Sequence, residues 1–248
     1  MEPVFRILEI TARTAVRVTG TRITYRGLQN IPAEGGAVIA INHTGYVDFL
    51  PAALAATHRR RRLRFMIKAE MQRVKFVDFL IRHTKTIPVD RRAGAGAYAV
   101  AVARLREGEL VGVYPEATIS RSFELKDFKT GATRMAVEAR VPVVPVVVWG
   151  AHRIWTKDHP RHLGRHRIPV AVAVGRALAP TGPAEELLRH LRAEMADLLD
   201  DVQQSYDHPE GAHWVPHRLG GGAPTMEEAR VREEAELAER ARRDSGER

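Results

Sequence analysis

Short, unbroken apolar runs alternate with longer stretches of helical periodicity along most of this chain. Residues 37–41 (AVIAI), 64–68, 84–89, 110–114, 143–148 (VVPVVV) and 170–174 (VAVAV) are β-rich runs. Helical patterns occupy 48–58, 69–82, 94–107, 130–140 and 184–204 between and after them. Apolar runs with little alternation imply strands covered on both faces. Strand–helix alternation then predicts a single α/β domain, with a central, mainly parallel or mixed sheet covered by helices. Sites in such folds collect at the carboxyl ends of the strands. Residues 4–18 place Phe5, Leu8, Ala12, Ala15 and Val16 near one helical face and Arg6, Arg13 and Arg17 elsewhere. That amphipathic helix either caps the core or lies on a bilayer surface. Residues 207–224 read as loop, which closes an expected domain of 1–223. The charged tail 224–248 is expected to be a solvated helix or disordered.

Composition narrows the chemistry. The chain has 248 residues and no cysteine, which removes thiolate zinc sites, disulfide scaffolds and cysteine nucleophiles. No run of about 18 apolar residues is present, so no transmembrane helix is expected, and the start Met1-Glu2-Pro3 lacks a basic region followed by an apolar core, so no signal peptide is expected. The formal charge is +9. Residues 58–92 carry twelve basic and three acidic groups, a surplus equal to that of the whole chain. Such a charge suits an anionic membrane surface or phosphate-bearing ligands. No groove-reading helix or basic surface interleaved with aromatics is present, so no nucleic-acid partner is expected.

Candidate chemistry sits just after strands. Asn42-His43-Thr44-Gly45-Tyr46-Val47-Asp48 follows the run 37–41. In one straight helix, His43 and Asp48 would face about 140° apart. They meet only if His43 lies in the strand-to-helix turn and Asp48 at the start of the helix. Pro51, tolerated near a helix start, supports that register, and Gly45 allows the tight turn. A carboxylate on one ring nitrogen would fix the tautomer and support the other nitrogen as a general base. An ordinary turn histidine remains the alternative. A second block, Tyr114-Pro115-Glu116-Ala117-Thr118-Ile119-Ser120-Arg121, gathers a carboxylate, hydroxyls and an arginine, a set suited to a polyol phosphate. Ile87-Pro88-Val89-Asp90-Arg91-Arg92 offers a phosphate clamp or a solvated charge pair. Val141-Pro142-Val143-Val144-Pro145-Val146 reads as a buried strand, with its prolines at the start and at a bulge.

The order of these four blocks, across about residues 36–150, resembles the glycerolipid acyltransferases that carry an NHxxxxD motif. The branch it is most similar to is the 1-acylglycerol-3-phosphate O-acyltransferases. The resemblance implies His43 as general base and Asp48 as its orienting partner. Asn42 and Gly45 would belong to the same block. Arg91 would contact the acceptor phosphate, Glu116 and Thr118 would hold the glycerol moiety, and Pro145 would shape the acyl-donor side. Lys129, in the block 128–132, is a secondary anion-binding candidate. Family members commonly read F-P-E-G-T-R-S in the third block. Here Ala117 replaces the glycine and Ile119 the arginine, so Arg121 is expected to supply the charge. The implied reaction moves an acyl group from acyl-CoA or acyl carrier protein to a lysophospholipid or glycerol phosphate. The enzyme would be peripheral on the cytoplasmic side of a membrane and would need neither a metal nor a bound cofactor. An acyl-thioesterase or esterase using the same base, and a non-catalytic basic membrane- or nucleic-acid-binding protein, remain alternatives.

Overall fold

The computed structural model describes residues 3–73, 75–89 and 94–245. Seven strands form one sheet: β1 (Arg22–Arg26), β2 (Ala37–Ile41), β3 (Leu63–Lys68), β4 (Ile87–Val89), β5 (Leu110–Val113), β6 (Val143–Trp149) and β7 (Pro169–Val174). Their spatial order is β1-β7-β6-β2-β5-β3-β4. Every pairing is parallel except β6 with β7. The helices are α1 (Pro3–Thr19), α2 (Phe49–Thr57), α3 (Lys75–Thr84), α4 (Gly94–Arg106), α5 (Gly131–Ala139), α6 (Ala184–Gln204) and α7 (Met226–Ser245). The α/β fold with a mixed, helix-covered sheet is the one the sequence predicts.

β2, β5 and β6 are the central neighbours, and every residue in them is buried. One sheet face packs on α4, α5 and α6. α6 supplies Leu187, Leu191, Met195, Leu199 and Val202, a stripe repeating every three or four residues. The other face takes Ala52, Ala55 and Ala56 of α2. Small residues let α2 lie close to the sheet, so the segment before it starts directly above the end of β2.

Several expected boundaries move, each for a local reason. The run 84–89 yields only a three-residue strand. Lys85 adopts a left-handed conformation (φ 54°) that ends α3, and the Arg64 guanidinium holds the Thr84 carbonyl at 3.1 Å. The pattern 69–82 splits into a 3-10 turn over Ala69–Arg73 and then α3. β1, not foreseen, is a half-exposed edge strand. Pro145 lies within β6, which pairs with β7 only from Val146 onward. The missing proline N–H thus falls where β6 gains its second neighbour.

Within the basic segment 58–92, the arginines at 59–62 and 64 are largely spent on the fold. Arg59 donates to the Ile31 carbonyl, and Arg61 to the carbonyls of Pro32, Gly35 and Gly108. Arg64 is buried and paired with Glu109. Arg62 and Arg64 both lie over the Phe5 ring of α1. These contacts tie the α2–β3 turn and α1 to the domain, while Ile7 and Ile10 of α1 remain exposed. No helix among the described residues is long and apolar enough to cross a membrane.

Replacing the fully buried Leu191 by alanine should cost about 2–5 kcal/mol of stability. Replacing its exposed neighbour Arg192 by alanine should change stability by less than about 0.5 kcal/mol. Urea unfolding of the two variants checks the expectation.

Candidate active site

The carboxyl ends of β2, β5 and β6 open on the same edge of the sheet, and three segments converge there. β2 delivers Asn42, whose side chain is wholly buried. Its Nδ2 donates to the Val148 carbonyl (3.1 Å), and its Oδ1 accepts from the Val148 amide (2.7 Å). This side chain continues the β2–β6 ladder one step past the strand and fixes where the next residue leaves the sheet.

That residue is His43. The chain then turns sharply through Gly45. A Cβ at Gly45 would stand 2.8 Å from the Trp155 carbonyl oxygen and 2.9 Å from the His152 Cα. The turn is pinned from outside by the Tyr46 amide on the Trp155 carbonyl (2.9 Å) and by the Thr156 hydroxyl on the Thr44 carbonyl (2.7 Å). Asp48, just before α2, has no exposed surface. Its Oδ2 accepts from the amides of Thr44 (2.8 Å) and Gly45 (2.7 Å) and lies 3.2 Å from His43 Nδ1. A carboxylate can only accept there, so the contact selects the tautomer with hydrogen on Nδ1 and a lone pair on Nε2. The ring keeps 19 % of its surface exposed.

β5 delivers the second wall. Tyr114 stacks on the His43 ring, with centroids 4.0 Å apart and planes 20° apart. Burial pushes the Tyr114 hydroxyl well above its usual range, with the Asp48 charge adding to the effect, so the wall stays neutral. Glu116 is buried and uses both carboxylate oxygens on backbone. Oε1 accepts from the His43 amide (2.8 Å), and Oε2 accepts from the Lys126 amide (3.1 Å). The Ser120 amide returns a bond to the His43 carbonyl (2.8 Å). The third block is therefore clasped to the first through the main chain of His43. Ala117 adopts a left-handed conformation (φ 62°), which accounts for the glycine common at this position in the resembling family. Ile119 is buried, so the arginine position has become a core position.

Beyond the clasp lies a cationic cluster. Thr118 meets Lys126 Nζ and Glu233. Lys126 Nζ lies 2.9 Å from each Glu233 oxygen. Arg121 pairs with Asp158 (2.5 Å) and Glu236 (2.8 Å), and Lys157 pairs with Glu236 (2.9 Å). The structure thus brings together Asn42, His43, Gly45, Asp48 and Glu116, with Thr118 and Arg121 on the adjoining loop. Lys129 is exposed, and its amide donates to the Pro115 carbonyl (2.8 Å). Pro145 is buried within β6, three residues before Val148, and approaches Gly175. Arg91 lies outside the described residues. The sequence reading passed over Tyr114, Lys126 and Lys157. The aromatic residue before Pro-Glu was the available signal for Tyr114. The two lysines had none, because separate loops bring them together.

Desolvation pushes the Glu116 carboxyl up from 4.5 to about 7, against the opposing pull of the His43 and Lys126 amides. A carboxyl raised on folding contributes stability in full below its unfolded value and loses it as pH climbs toward the folded value. Wild type should therefore lose up to about 3 kcal/mol relative to E116Q between pH 4.5 and 7. Urea unfolding across that range checks this, and parallel curves for the two proteins would count against it.

Comparison with known proteins places this geometry. The chain is 31% identical over 123 residues to a 1-acyl-sn-glycerol-3-phosphate acyltransferase of Bacillus subtilis, covering 49% of this chain and 60% of that one. It is 26% identical over 165 residues to the enzyme of the same description from Borreliella burgdorferi, covering 62% of each. The chain thus spans about three fifths of the length of these curated relatives. The crystal structure of the 1-acyl-sn-glycerophosphate acyltransferase PlsC from Thermotoga maritima superposes with a TM-score of 0.69 at 22% identity, covering 83% of this chain and 82% of that one, and so shares the fold. The acyltransferase family model matches residues 22–149, the stretch from β1 to the end of β6 that holds His43, Asp48 and Glu116, and the chain belongs to that family.

Proposed function

We propose that this protein transfers an acyl group from a thioester, acyl-CoA or acyl carrier protein, to a hydroxyl of a lysophospholipid or glycerol phosphate. The observation that carries the reading is the His43–Asp48 pair. Nδ1 faces a buried carboxylate at 3.2 Å, which leaves Nε2 as the proton acceptor. His43 Nε2 takes the proton of the acceptor hydroxyl as its oxygen attacks the thioester carbonyl. Asp48 stabilises the imidazolium. The tetrahedral intermediate then collapses, the C–S bond breaks, and the His43 imidazolium gives its Nε2 proton to the leaving thiolate, which departs as free thiol. The amides of His43, Thr44 and Gly45 are already engaged by Glu116 and Asp48, so the oxyanion draws on other donors. The steps use the acyl thioester as co-substrate and no further cofactor.

Tyr114 holds the His43 ring in place while remaining neutral. The family relationship supports a role for the reaction in phospholipid synthesis. The exposed Ile7 and Ile10 of arginine-bearing α1 suit an anionic bilayer at the cytoplasmic face.

His43→Ala should lower kcat about 1,000-fold with the fold retained by circular dichroism. Transfer at the wild-type rate by that folded variant would contradict the mechanism. Mass spectrometry of products with and without lysolipid separates transfer from thioester hydrolysis. Acylated lipid should appear only with acceptor, and free fatty acid alone in both conditions would reject transfer.

A further inference from the structure

We infer that α7 masks, with the carboxylates of Glu233 and Glu236, the third-block loop on which Thr118 and Arg121 are expected to meet the acceptor phosphate, a site that Lys126 and Lys157 extend. The inference rests on the acyl-transfer reading for its choice of ligand and adds a part of the chain that the reading does not use. The site adjoins the base. Ser120, next to Arg121, holds the His43 carbonyl, and the Lys126 amide shares Glu116 with the His43 amide.

Both carboxylates lie where an anionic ligand would. Glu233 takes Lys126 Nζ at 2.9 Å with each oxygen, together with the Thr118 hydroxyl. Glu236 bridges Arg121 Nη2 and Lys157 Nζ through a single oxygen, Oε2. With α7 in place, three cations face Glu233, Glu236 and Asp158. Without it, only Asp158 remains among the described residues, and the cluster carries a net positive charge. A phosphate monoester brings two negative charges and three acceptor oxygens, which matches the two carboxylates it would displace. Arg121 Nη1 is buried without a hydrogen-bond partner among the described residues, which leaves a donor for such an oxygen.

The mask is built to come off. The docked face of α7 includes Met226, whose Sδ accepts from the Ser122 hydroxyl (3.0 Å), Ala229, Glu233 and Glu236, and of these only Ala229 is buried. Val231 and Leu237 point to solvent, 53% and 49% exposed. The helix is held by partly exposed ion pairs, which are individually weak and screened by salt. Its start is fixed separately. Thr225 and Glu228 form a reciprocal cap, with the Thr225 amide on Glu228 (2.8 Å) and the Glu228 amide on the Thr225 hydroxyl (3.2 Å). A helix anchored at its first turn and latched by charge further along can lift as a strap.

The ligand phosphate has two sources, the acceptor headgroup and coenzyme A, so both sn-glycerol 3-phosphate and free coenzyme A serve as probes on the 248-residue chain. By calorimetry, E233Q/E236Q should bind at least one probe about fivefold or more tighter than wild type. The control E227Q/E234Q removes the same charge from the outward face, where Glu227 and Glu234 pair with Arg230, and should bind like wild type. Saturating the wild type with that probe should speed amide hydrogen exchange across 230–245. The responding probe identifies the source. Equal shifts in the two double variants, unchanged or weaker binding by E233Q/E236Q, or no effect of either probe at millimolar concentration on exchange would each overturn the proposal. These readouts need no acyl donor. Displacement without acylated product would sink the acyl-transfer reading alone, and product without displacement would sink the strap alone.

Discussion

Asp48 is sealed from solvent, so its carboxylate depends entirely on donors that the chain supplies. Two of these are the amides of Thr44 and Gly45, and the third position faces His43 Nδ1. The rest of the site follows from meeting that one demand. Both amides can point at Asp48 only if the chain turns tightly at Gly45, and the turn presses so close to Trp155 and His152 that a side chain there would collide with their backbone. The turn in turn needs a fixed point of departure from the sheet, which Asn42 provides through its two bonds to Val148. The same group that stabilises the loop also orients the imidazole, so structural and chemical roles share a single carboxylate.

Glu116 repeats the device from the other side. It too is buried and held by backbone amides, but where Asp48 gathers its donors on Oδ2 alone, Glu116 engages both oxygens, with His43 and Lys126. Two acidic residues from separate strand ends thus hold opposite sides of one histidine. Their environments differ in consequence. Asp48 faces an ionisable ring, whereas Glu116 accepts only from backbone amides, and burial pushes its carboxyl up to about 7 against the pull of those amides and of the Lys126 charge. The cationic cluster lies beyond this clasp, linked to it through Ser120 and Lys126.

The parts legible in the sequence were those fixed by burial or by local turn geometry. Fully buried strands such as Ala37–Ile41 and Val143–Trp149 announce themselves as apolar runs, and the placement of His43 and Asp48 across a strand–helix turn follows from spacing and Pro51. Other features depend on partners far away in the chain. Edge strand β1 is short and half exposed, so its pattern is faint. The arginines at 59–64 read as a free cationic surface, yet Arg59, Arg61 and Arg64 are committed to distant carbonyls and Glu109. Ile119 looks like a lost charge in sequence and is a core residue in the fold. The meeting of Glu233 and Glu236 with Arg121, Lys126 and Lys157 leaves no local trace, because charge pairs across some eighty or more residues have no periodicity to betray them.

The central claim is that Asp48 holds His43 with its hydrogen on Nδ1, leaving Nε2 free to accept a proton. Long-range nitrogen–proton correlation NMR of histidine-labelled protein reads the tautomer directly, with His43→Gln assigning the signal. In neutral protein the account predicts an Nδ1–H tautomer for His43 and its loss in Asp48→Asn. An Nε2–H tautomer in wild type, or a His43 signal indifferent to Asp48→Asn, would contradict it.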